Sequence, residues 1–160
     1  MIRNWALYTL VFSLSLNFVD AQSKKQIKKF KIKSVTTTVT EGASSRKDNF
    51  ERYNKDGEIL EEIEYSNDGT EKRKHVYSYN SNGDLSEELE YSESGKLKEK
   101  TIYTYNSFNE KLEEKLFDAS GNLAKRIEYT YDKNGLRSEK KTFDSNSKLI
   151  STRKYSYETK

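Results

Sequence analysis

An aromatic residue followed four positions later by glycine, or by a substitute for it, recurs from residue 53 to residue 147. The pairs are Tyr53/Gly57, Tyr65/Gly69, Tyr79/Gly83, Tyr91/Gly95, Tyr105/Asn109, Phe117/Gly121, Tyr131/Gly135 and Phe143/Ser147. Steps of 12 and 14 residues alternate without a break, so the repeating unit is 26 residues long. A doubled aromatic keeps the same period: Tyr77-Ser-Tyr79, Tyr103-Thr-Tyr105, Tyr129-Thr-Tyr131 and Tyr155-Ser-Tyr157. A period of this size means one supersecondary unit laid beside its copies, each covering part of its neighbour.

The spacers have turn chemistry. After each aromatic comes Asn54, Ser66, Asn80, Ser92, Asn106, Asp118, Asp132 or Asp144, side chains that cap a turn from its first position. Gly or Asn in the fourth place accepts the left-handed conformation that sends the chain back; Ser147 is the weakest of these. The spacing predicts type I turns, each followed by a left-handed residue. Between the turns lie strands at 58–65, 70–79, 84–91, 96–105, 110–117, 122–131, 136–143 and 148–157.

Several of these segments alternate as half-buried strands do. Ile59, Ile63 and Tyr65 fall on one face; so do Leu85, Leu89 and Tyr91, and so do Leu123, Ile127, Tyr129 and Tyr131. Leu112 and Leu116 are out of phase with Phe117, which predicts a bulge or register change within 110–117. Backward extrapolation gives a strand at Arg46–Tyr53, a turn near Gly42 and a first strand at Phe30–Val39, with no helix after residue 22. The expected fold is all-β: an antiparallel meander of about ten hairpin-linked strands in an extended or curled single sheet.

Residues 1–21 read as a signal peptide: Arg3, then the largely apolar Trp5–Leu16, then Val19-Asp20-Ala21 as the small-x-small site. Cleavage is expected between Ala21 and Gln22, leaving a repeat domain over 22–160 (regular from 50 to 160) without a transmembrane segment. The location is then periplasmic or extracellular.

Composition narrows the functions. With no cysteine, no proline and one histidine, thiolate metal sites, disulfides and most catalytic sets lack their parts. No catalytic residue, cofactor or metal site is expected. His75 has no second His or Cys to join. The carboxylates Glu61, Glu62, Glu64, Glu87, Glu88 and Glu90 would need a cleft that a thin meander does not offer. The Asn80–Asp84 and Asp132–Gly135 stretches resemble the start of a calcium loop but lack its downstream glutamate.

Net charge is +3 overall, yet residues 22–50 carry +6, residues 51–132 carry −8 and residues 133–160 carry +5. Acidic short segments alternate with basic long ones, so Glu is expected to face Lys or Arg across each ladder and select the register. Basic ends are expected to protect the edge strands rather than bind nucleic acid.

The units YSYNSNGDLSEELEYSESGKL (77–97) and YTYDKNGLRSEKKTF (129–143) resemble the tyrosine–aspartate repeats of the RHS/YD-repeat family over about residues 50–160. That resemblance implies hairpin repeats of the kind that coil into toxin-enclosing shells or form cell-surface modules. A weaker resemblance is to MORN-like antitoxin repeats. The architecture also looks like the single-layer sheet of a spirochaete outer-surface lipoprotein.

The candidate ligand or partner stripe is Tyr77, Tyr79, Tyr103, Tyr105, Tyr129, Tyr131, Tyr155 and Tyr157, which fall at the same end of successive long strands. Such rings pack across strands and also stack on sugars. The expectation is an exported, non-enzymatic structural or interaction module of the envelope or exterior. Its partner is unknown, with a glycan or an envelope protein as the classes the stripe suits. A carbohydrate-binding module and an RHS/MORN-like component of a toxin–immunity system are the alternatives.

Overall fold

The computed structural model of the protein describes residues 23–158, so the segment 1–21 and the Ala21/Gln22 junction lie outside the described residues. A short helix, α1 (Lys24–Phe30), precedes ten strands. These are β1 (Ser34–Glu41), β2 (Ser44–Tyr53), β3 (Ile59–Tyr65), β4 (Glu71–Tyr79), β5 (Leu85–Ser92), β6 (Leu97–Tyr105), β7 (Lys111–Asp118), β8 (Leu123–Tyr131), β9 (Arg137–Asp144) and β10 (Leu149–Lys154). They form one open antiparallel sheet in sequence order. Among the described residues no second sheet covers either face, and the only buried apolar residues are Ile27, Tyr53, Ile63 and Tyr129.

The turns follow their sequence chemistry. In the β4–β5 turn, Gly83 N–H donates to Asn80 O at 3.1 Å and Asn80 N–H donates to Asp84 O at 2.9 Å. The Asn80 side-chain oxygen accepts from Asn82 and Asp84 N–H, both at 2.9 Å. Asn54, Asn106, Asp118, Asp132 and Asp144 repeat this double acceptance, which holds the turn from its first position. The serine turns use other means: Asp68 accepts from Thr70 N–H, and the Ser92 hydroxyl donates to Lys96 O. Asn109 (φ 62°) and Ser147 (φ 63°) are left-handed like the glycines they replace.

A bulge accompanies every one of the eight repeat hairpins, not only the one at 110–117. Tyr79 faces Leu85 but Ser78 faces Glu87, leaving Ser86 without a counterpart. The same register step leaves Leu60, Lys72, Lys98, Leu112, Ala124, Ser138 and Ile150 as the extra residue. One inserted residue reverses side-chain parity beyond it. Leu85 therefore lies on the face opposite Leu89, Leu123 opposite Ile127, and Ile59 opposite Ile63, contrary to simple alternation. The phase break at Leu112 is this bulge.

The N-terminal margin differs from expectation. Residues 24–30 are helical, and the first strand starts at Ser34 rather than Phe30. Ser23 caps α1 in a capping box with Gln26, and Lys31 (φ 53°) ends it in the left-handed conformation. β1–β2 turn tightly through Gly42-Ala43, outside the four-residue spacing. β1 reads SVTTTVTE, so the lysines expected on this edge strand lie before it.

Charge pairing is also less regular than facing residues alone suggest. Glu64 faces Arg73 and Glu61 faces Arg52, but Glu90 faces Glu99 and Glu113 faces Glu128. Flanking cations reconcile these like-charged pairs. Lys98 reaches Glu90 at 2.6 Å, and Arg126 lies between Glu113 and Glu128.

Candidate functional site: the tyrosine–carboxylate face

The doubled tyrosines Tyr77/Tyr79, Tyr103/Tyr105 and Tyr129/Tyr131 end β4, β6 and β8, whereas Tyr155 and Tyr157 lie just past β10, which stops at Lys154 rather than at residue 157. The two hydroxyls of a pair have separate jobs. The first donates to a glutamate fifteen residues earlier on the preceding strand: Tyr77 to Glu62 at 3.3 Å, Tyr103 to Glu88 at 2.8 Å, Tyr129 to Glu114 at 2.9 Å. The second donates to a backbone carbonyl twenty residues earlier. Tyr79 reaches Ile59 O, Tyr105 Leu85 O, Tyr131 Lys111 O and Tyr157 Arg137 O, each at 2.8 Å. These carbonyls belong to the residue just before the bulge in β3, β5, β7 and β9, where the ladder is interrupted. The second tyrosine thus completes hydrogen bonding that the bulge disturbs.

The stripe is not uniform. Tyr77, Tyr79, Tyr103, Tyr105 and Tyr131 are half-buried, Tyr129 is buried, and Tyr155 and Tyr157 are exposed. Fifteen residues before Tyr155 stands Lys140 in place of the glutamate, so the carboxylate ladder stops at β8. Its cationic replacements gather around Tyr129, with the Arg137 guanidinium 4.4 Å and Lys140 Nζ 5.7 Å from the ring centre.

At the centre of this face His75 stacks on Tyr77, ring centres 6.0 Å apart. Its Nδ1 lies 3.0 Å from Glu88, the carboxylate that Tyr103 also contacts. The Glu88 contact raises the His75 pKa above its ordinary 6.5 against the opposing effect of burial. The same contact, more than the Tyr103 bond, lowers Glu88. Burial first, then neighbouring carboxylates, pushes Tyr79 up to about 12 and raises Tyr77 and Tyr103 as well.

Beside this cluster lies a shallow concavity of about 210 Å³, lined by Glu88, Glu90, Glu99, Glu114, Thr101, Tyr103 and Lys125 among others. Glu90 is lowered by its bond to Lys98. Glu88 and Glu90 are thus ionised acceptors at neutral pH, whereas a general acid needs a carboxyl held protonated. Simple alternation gives no hint of either the tyrosine–glutamate bonds or the Ile59-type carbonyl contacts, because both depend on the register between strands. Among the described residues no group of three or more His, Cys, Asp or Glu is placed to hold a metal ion. No helix among them is long and apolar enough to cross a membrane.

No family model matches the chain, and no curated protein matches it. Several solved structures share partial likeness. TarM is 16% identical over 79% of this chain, with a TM-score of 0.32, and the chain spans only 22% of TarM's length. A protein of unknown function from Bacteroides fragilis is 12% identical over 79% of this chain and 96% of its own, with a TM-score of 0.43. A porin-like protein from Bacteroides uniformis is 12% identical over 68% of this chain and 69% of its own, at 0.36. Scores this low carry no argument about activity.

Proposed function

We propose that the protein is an exported, non-enzymatic repeat module that serves the cell envelope or exterior as a scaffold or interaction surface. The observation that carries this reading is the internal use of the tyrosine hydroxyls: seven of them bond the preceding strand, from Tyr77–Glu62 to Tyr157–Arg137. They lock a sheet with few buried apolar residues rather than wait for a reactant. The YD-like repeat and the apolar Trp5–Leu16 run support a surface-directed module. The test is expression in a secreting host, followed by fractionation and N-terminal sequencing. A product starting at Gln22 outside the cytoplasm is expected; full-length protein retained inside overturns the export reading.

A carbohydrate-binding role is favoured by one specific feature, the concavity where Glu88, Glu90, Glu99 and Glu114 present acceptors beside Tyr103. Sugar hydroxyls are donors and their faces stack on such a ring. Glycan-array binding that is lost in Tyr103→Ala would establish it. An array without hits leaves the scaffold reading as the better one.

A further inference from the structure

A second concavity lies at the N-terminal margin, away from the carboxylate ladder. α1 is seated there on the β2–β3 turn. Ile27, 1% exposed, is the most buried side chain described. Lys24 pairs with Glu58 at 3.1 Å and Lys28 with Asp56 at 3.3 Å. Gly57 permits the approach: it is left-handed at φ +78°, and a Cβ on it would lie 2.7 Å from Lys24 O. After the left-handed Lys31, the chain continues to Lys33, whose carbonyl accepts from Tyr53 N–H at 2.9 Å. The helix is thereby held at both ends, and Ile27 and Lys28 on it line the space beside the β2–β3 turn.

That space is a cavity of about 730 Å³, within the ~300–1,000 Å³ of small-molecule sites. Its floor is apolar, with Ile27, Ile32, Phe50 and Tyr53, and Ile32 and Phe50 remain half-exposed because nothing in the described chain fills it. Every charged residue lining it is cationic. Lys28 and Arg52 have acidic partners, but Lys31, Lys33 and Lys55 have no ion-pair partner among the described residues. An apolar floor bordered by uncompensated ammonium groups complements one kind of molecule, an alkyl chain ending in an anion. We propose that this cavity binds a single-chain anionic amphiphile, its chain over Ile32 and Phe50 and its carboxylate or phosphate head at Lys31, Lys33 and Lys55. The site does not rest on the module reading and uses no residue of the tyrosine stripe.

The test is calorimetric titration of the purified protein with four monomeric probes that share one chain and differ in head group. These are dodecanoate, dodecyl phosphate, dodecyltrimethylammonium and dodecyl maltoside. Saturable binding of one anion per chain is expected, with the cationic and neutral probes weaker by at least about tenfold. A preference between the two anions would identify the head group. The double variant Lys33→Glu/Lys55→Glu should weaken anion binding by a similar factor while its circular dichroism stays native. Ile32→Trp should fill the cavity and abolish binding with the charges intact, a second readout should the charge variant misfold. Equal affinity for all four heads, anion binding unchanged in both variants, or no saturable binding would overturn the proposal. So would adsorption to anionic vesicles without uptake of the monomeric probes, which would assign the lysines to a membrane surface.

Discussion

The His75–Glu88 pair gives the fold a pH signature that a double-mutant cycle can isolate. Glu88 accepts from Tyr103 at 2.8 Å and lies 3.0 Å from His75 Nδ1, with side chains 26% and 17% exposed. A hydrogen bond to a charged group contributes about 1.5–3 kcal/mol when shielded, and partial solvation brings the expected His75–Glu88 coupling nearer about 1 kcal/mol. Two titrations bound its window. His75 is raised in the folded state, so its contribution is full below the ordinary value of 6.5 and is lost as pH climbs through the raised one. Glu88 is lowered, so its contribution is full above the ordinary 4.5 and is lost as pH falls through the lowered one. Coupling should therefore peak in the interval between those two ordinary values and decline on either side. Urea unfolding of wild type, His75→Gln, Glu88→Gln and the double variant, followed by circular dichroism from below the lowered Glu88 value to above the raised His75 value, measures it. Coupling that is flat with pH, or below about 0.3 kcal/mol throughout, would refute the ionic account and leave the pair as packing alone.

Other outcomes follow from the turns, the ladder and the edge. Gly57→Ala should cost clearly more than Gly95→Ala in thermal unfolding. Both positions have positive φ, but only Gly57 has helix backbone where the new Cβ would stand. Asn109→Gly should be neutral or stabilising, since φ there is already 62°. Tyr131→Phe should lose about 0.5–1.5 kcal/mol with its bond to Lys111 O, and equal stability would show that the bulge carbonyl is satisfied by water. Arg153→Thr with Lys154→Val should promote concentration-dependent association in sedimentation, because β10 then presents an uncharged edge beside exposed Tyr155 and Tyr157.

Much of the meander was legible because its turns are local. Asn80 holds its own hairpin and Gly83 reverses it, so strand order and approximate limits follow without knowledge of any distant contact. Facing is another matter. Whether Leu85 joins Leu89 depends on Ser86 having no counterpart, and that is decided between strands rather than within one. The tyrosine stripe was visible as spacing, but its carbonyl acceptors lie twenty residues back on a neighbouring strand and carry no sequence signal of their own. The helix stands outside the repeat pattern, and its one local signal is the capping box spelled by Ser23-Lys-Lys-Gln26. Its seven residues are too few to be stable alone, so its existence depends on Ile27 and on the missing side chain at Gly57.

Among the described residues no second layer covers the sheet, and this bears on how such a chain can change in length. In a two-layer fold, inserting a strand displaces everything packed across the core. Here the contacts that fix a strand run chiefly to the strands on either side of it, as with Tyr103 to Glu88 and Tyr105 to Leu85 O on the strand before and His75 to Glu88 on the strand after. Excising or duplicating one 26-residue unit, bulges included, would bring equivalent residues into equivalent places. The sheet behaves as a ruler that can be cut or extended at its graduations, and its width is set by gene length rather than by the geometry of a core.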